Sequence, residues 1–147
     1  MRNSKPLLLV EDDDVDAMTV TRAFTKLNIP NEIIRMPDGE AAADYLQKEC
    51  QDLPCLIITD INMPRMDGIE FLTRVKSDTG LKAIPVLVLT TSREQIDVMR
   101  SFTAGAAGYM IKPVDYTKFV EIVRTIENYW QISELPTSVR SHETAKV

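Results

Sequence analysis

A chain of 147 residues, 44% of them hydrophobic, is long enough for one domain with a sizeable core and too short for two ordinary ones. The net charge of −5 and the lack of a basic stripe argue against direct contact with a nucleic-acid backbone. The opening MRNSKPLLLV meets an acid after four apolar residues, so neither a signal sequence nor a membrane span is expected and the protein is read as cytoplasmic.

PLLLV (6–10) is the first of five short apolar runs, and Ala17, Val20, Phe24 and Leu27 follow it at helical spacing. EIIRM (32–36) comes next, with a helical stretch over 38–49. CLIIT (55–59) precedes a helix over 68–77, whose start is marked by Asp67 with Glu70. PVLVLT (85–90) is followed by Ser92 with Gln95, which reads as a capping box. After AGYMI (107–111), Asp115 precedes a last helix carrying Phe119, Ile122, Val123, Ile126 and Trp130 on one face. From about Ser133 the composition turns polar, which divides the chain into one domain (1–132) and a tail (133–147). Cys50 and Cys55 are expected as reduced thiols, with Cys55 facing the core. The single histidine, His142, lies in the tail, and no Cys/His metal spacing occurs.

Five βα repeats, three of whose strands are nearly continuous in Leu, Ile and Val, call for an α/β fold. A five-stranded parallel sheet, doubly wound, with helices on both faces, satisfies that pattern. Its functional residues belong at the carboxyl ends of the strands. Glu11 and Asp12 follow the first strand, Asp60 ends the third, Thr90 the fourth and Lys112 the fifth, before Pro113. Two carboxylates about 4 Å apart repel by roughly 4 kcal/mol at an effective dielectric of about 20. One lysine cannot neutralise three acids, so a divalent cation is implied, and Mg²⁺ suits carboxylate, water and phosphate oxygens. Asp60, alone at a strand end, is the natural carboxylate nucleophile toward phosphorus, and the product is an aspartyl phosphate. Glu11 and Asp12 then hold the metal, with the Asn62 backbone carbonyl as a further ligand. Asp13, Asp14 and Asp16 suit a solvated helix start.

The acidic pair after LLLV, the D-x-N-M-P-x-M-D-G run from Asp60, PVLVLT and KPVD together resemble the receiver domain of two-component response regulators, the single-domain chemotaxis kind included. The likeness covers roughly residues 5 to 130. It implies the flavodoxin-like strand order 2-1-3-4-5, Glu11 and Asp12 as metal ligands, and Asp60 as phosphoacceptor. Thr90 becomes the switch hydroxyl, Lys112 the family's lysine, and Tyr109 the switch aromatic. A cis bond before Pro113 is also implied. The pair is Glu-Asp where the family more often has Asp-Asp. KECQDLP, TTS and IENYWQISELP look further like the small regulators paired with bacteriophytochrome-type kinases.

The resemblance implies a sensor histidine kinase as donor and a surface of the fourth helix, fifth strand and fifth helix as output. With no output domain after residue 130, that output is expected to be a downstream protein, onward phosphotransfer or a homodimer. Tyr129 and Trp130 read either as core at the helix end or as dimer surface, and Met63 and Met66 as packing beside the turn. Three rivals fare worse. A haloacid-dehalogenase-type phosphatase needs an acid two residues after its nucleophile, where this chain has Asn62. A flavin-type phosphate loop after the first strand would be repelled by Glu11 to Asp16. A phosphorylation-independent binding module would leave the strand-end residues without a purpose.

Overall fold

The computed structural model describes residues 5–49 and 52–132. Five parallel strands, β1 (Leu7–Val10), β2 (Ile33–Met36), β3 (Leu56–Thr59), β4 (Val86–Thr90) and β5 (Gly108–Ile111), form one sheet in the order β2-β1-β3-β4-β5. Helices alternate with them: α1 (Asp14–Lys26), α2 (Gly39–Asp44), α3 (Gly68–Ser77), α4 (Gln95–Thr103) and α5 (Tyr116–Ile132). A π-helical turn, Tyr45–Glu49, prolongs α2. The doubly wound architecture and its strand order are those expected.

The apolar strands are continuous because successive side chains feed two cores. Leu7, Leu9, Leu56, Ile58, Leu87 and Leu89 pack against Val20 and Phe24 of α1 and Phe119, Val123, Ile126 and Trp130 of α5. On the other face, Leu8, Val10, Ile57 and Val86 meet Phe71, Leu72 and Val75 of α3 and Leu46 beyond α2. Each such Leu, Val or Phe contributes about 1.5–3 kcal/mol of transfer free energy. Met63 and Met66 do pack, half-buried, against this second core. At the end of α5 the two aromatics separate, Trp130 being buried and Tyr129 exposed.

Helix starts follow from side chains that accept otherwise orphaned amides. Asp13 accepts from the Asp16 amide at 2.9 Å, Asp38 from Ala41 at 2.8 Å and Asp67 from Glu70 at 2.9 Å. Before α5, Asp115 accepts from the Thr117 amide at 2.8 Å. The expected capping box at Ser92 does not form. Glu94 is the N-cap of α4 and gives no side-chain cap. The Ser92 hydroxyl instead donates to Asp97 Oδ2 at 2.6 Å and accepts from the Glu94 amide at 3.3 Å. Cys55 is a half-buried free thiol whose pKa burial pushes up. Cys50 and the tail from residue 133 lie outside the described residues, and among those described no helix is long and apolar enough to cross a membrane.

Candidate functional site

The sheet register brings the strand ends to one rim. Val10 lies beside Thr59, Thr59 beside Val88 and Thr90 beside Ile111. The ladder then continues one residue further. The Glu11 amide donates to Met36 at 3.0 Å, the Asp60 amide to Val10 at 3.1 Å and the Lys112 amide to Thr90 at 2.8 Å. Glu11, Asp60 and Lys112 are therefore held by backbone hydrogen bonds before their side chains are considered.

Those side chains converge on one ammonium. Lys112 Nζ donates to Glu11 Oε1 at 2.7 Å, Asp60 Oδ2 at 2.7 Å and Asp16 Oδ2 at 2.8 Å. The Lys112 side chain is only 7% exposed. Burial alone would lower its pKa, but hydrogen bonds to Asp16, Asp60 and Glu11 outweigh that and hold it above the usual lysine range. Asp16, read as a solvated helix-start acid, is thus a member of the cluster. Its position in the first turn of α1 disguises a contact that only the fifth strand reveals.

Asp60 is buried, and its second oxygen, Oδ1, accepts from the Ile61 amide at 2.6 Å. The chain can fold this tightly around it because residue 68 is glycine: a Cβ there would lie 1.8 Å from the Asp60 carbonyl oxygen. The Gly68 amide closes the β3–α3 loop on the Ile61 carbonyl at 2.8 Å.

Glu11 is 3% exposed, and its pKa is raised to about 7. Burial is the main cause, opposed by the hydrogen bond and charge of Lys112 and reinforced by the nearby Asp60. The charged form of Glu11 is thus penalised at this rim, and Lys112 offsets only part of that cost. Among the described residues, no three acid, histidine or cysteine side chains are arranged to hold a metal by themselves. A cation that keeps most of its waters and takes one or two carboxylates fits what is present: hard oxygens on Glu11 and Asp60, with Asp12 exposed beside them.

Thr90 is fully buried at the end of β4. Its hydroxyl accepts from the Ser92 amide at 3.3 Å, and the Tyr109 hydroxyl donates to the Ser92 carbonyl at 2.9 Å. One residue thereby links the two expected switch side chains. Asn62 lies exposed in the β3–α3 loop. Sequence reasoning also missed Arg35, a lone charge in the apolar strand β2. Its Nε donates to the Glu11 carbonyl at 2.9 Å, bracing the end of β1, and a guanidinium nitrogen reaches the exposed Asp14 Oδ1 at 2.7 Å. The bond between Lys112 and Pro113 is trans, correcting the cis expectation. Trans is the intrinsically favoured isomer, and Lys112 reaches the rim with it.

Comparison with known proteins bears on this arrangement. The response regulator receiver domain model matches residues 7–124. Rcp1, a response regulator of Synechocystis sp., is 37% identical over 130 residues, covering 86% of this chain and 88% of Rcp1. The probable methanogenesis regulatory protein FilR2 of Methanothrix harundinacea is 38% identical over 127 residues, 84% of this chain and 82% of FilR2. Among solved structures, the phosphorylated cyanobacterial phytochrome response regulator RcpA superposes with a TM-score of 0.85 at 34% identity, covering 92% of this chain and 100% of RcpA. A Mn²⁺-bound form of Rcp1 gives a TM-score of 0.81 at 36% identity, over 90% of this chain and 99% of that one.

Proposed function

The chain belongs to the response regulator receiver family of two-component signalling, regulators rather than enzymes in the ordinary sense, and from that premise we propose that Asp60 accepts a phosphoryl group from a sensor histidine kinase. The observation that carries this reading is the pairing of a buried Asp60 oxygen with Lys112 Nζ at 2.7 Å, across 52 residues of sequence. A carboxylate oxygen of Asp60 forms the O–P bond while the P–N bond of the kinase phosphohistidine breaks, and the electron pair leaves with the imidazole nitrogen. Glu11, Asp12, Asp60 and the Asn62 carbonyl would hold Mg²⁺, which when bound neutralises charge on the phosphoryl oxygens.

Lys112 transfers its Asp60 hydrogen bond to a phosphoryl oxygen of the product. The Thr90 hydroxyl turns from the Ser92 amide to a second one. Because Ser92 also holds Tyr109 and Asp97, that movement is transmitted to β5 and α4. The α4-β5-α5 surface then changes its affinity for a downstream protein, a phosphotransfer partner or a second copy. We take residues 1–132 as the working receiver unit, 133–147 as its tail and the cytoplasm as its compartment. The phytochrome assignment of RcpA supports a bilin-binding kinase as donor. The same pocket would assist hydrolysis of its own aspartyl phosphate.

Incubation with acetyl phosphate and Mg²⁺, followed by intact-mass spectrometry, tests the assignment. One phosphoryl group is expected on the natural chain and none on Asp60→Asn. Label that survives Asp60→Asn refutes Asp60 as acceptor.

A further inference from the structure

We propose that Asp16 is the positioning residue for Lys112, keeping one ammonium donor anchored on α1 while the other two change partners. This rests on the phosphoacceptor reading of Asp60. An ammonium has three N–H donors, and all three are used here, on Glu11, Asp60 and Asp16. Two of those partners are needed elsewhere during reaction, Glu11 by a cation and Asp60 by phosphorus. Asp16 has no other assigned task, and its oxygen lies 2.8 Å from Nζ.

The anchor is itself fixed. The Asp16 amide donates to the Asp13 cap at 2.9 Å, so the residue sits at a defined place in the first turn of α1. Its side chain is 42% exposed, leaving room to hold the ammonium from the solvent side, opposite the buried carboxylates. Without it, Lys112 would settle on Glu11 and Asp60 alone, in competition with the groups those acids must receive. An exposed ion pair of ordinary kind would matter little to either stability or reaction. Asp14 supplies the contrast. It lies two residues earlier in the same first turn, its side chain is 85% exposed, and it pairs with Arg35 instead of Lys112.

The test compares Asp16→Asn, Asp16→Glu and Asp14→Asn with the natural chain. The initial rate of labelling by acetyl phosphate at saturating Mg²⁺ is read first. The ¹⁵N signal of the Lys112 ammonium, visible only while its protons exchange slowly, is read in the metal-free protein. Asp16→Asn is expected to slow labelling about fivefold or more, the effect of roughly 1 kcal/mol, and to broaden the ammonium signal away. Asp16→Glu restores most of both, and Asp14→Asn stays within about twofold of the natural chain, as a surface pair should. Asp16→Asn behaving like Asp14→Asn overturns the proposal. A natural chain that takes no label at all overturns the phosphoacceptor reading instead, so the two failures are distinguishable.

Discussion

Glu11→Gln removes a buried titratable group while keeping the shape of the side chain, and its effect should depend on pH in a calculable way. The Glu11 pKa rises from 4.5 to about 7 on folding, chiefly through burial. Between those values the native state holds a proton that the unfolded chain has released, so stability falls as pH rises. The slope approaches 1.36 kcal/mol per pH unit, and about 2 to 3 kcal/mol is lost between pH 5 and pH 8. This is opposite in sign to a carboxylate whose pKa is depressed by a salt bridge. Glutamine cannot titrate, so stability of Glu11→Gln minus that of the natural chain should grow by the same about 2 to 3 kcal/mol over this interval. Urea unfolding in chelator, followed by the fluorescence of the single, buried Trp130, measures both chains. Acids remote from this cluster titrate in both and cancel in the difference. Parallel stability curves would mean that Glu11 is already charged at low pH and that burial does not control it.

Gly68→Ala should cost at least about 2 kcal/mol in urea unfolding, because its methyl group meets the Asp60 carbonyl and the loop must move; unchanged stability would show the loop to be loose. Tyr109→Phe removes one hydrogen bond to Ser92, so a loss of about 0.5–1.5 kcal/mol is expected, and none if the hydroxyl is equally well solvated. Phe71→Ala, at a fully buried position in the second core, should lose about 3–5 kcal/mol by the same measurement.

The sheet was legible because each strand is a mainly apolar run bounded by polar residues, and because burial on both faces of β1, β3 and β4 leaves no other use for such runs. Asp67 and Asp115 announced their helices because a short acid before an apolar periodicity has one favourable task. Ser92 misled for a physical reason: its hydroxyl had two partners within reach, Asp97 and the Glu94 amide, and the pattern of a capping box does not distinguish them. Glu11, Asp60 and Lys112 were legible as strand-end residues, since the topology assembles them. Asp16 was not, because acids are common in any first helical turn and its partner lies 96 residues away. Arg35 was hidden likewise, its target being a backbone carbonyl, which every residue possesses.

The joint core of α1 and α5 has a consequence for how the chain is made. Phe24 is covered by side chains near Phe119 to Trp130, which leave the ribosome about 5 to 20 s later at ordinary synthesis rates. During that interval one side of the nascent sheet is covered by α1 alone. A chain stalled before Phe119 should therefore bind a hydrophobic dye that the finished protein ignores, and its vulnerability to proteases should end when the last helix emerges.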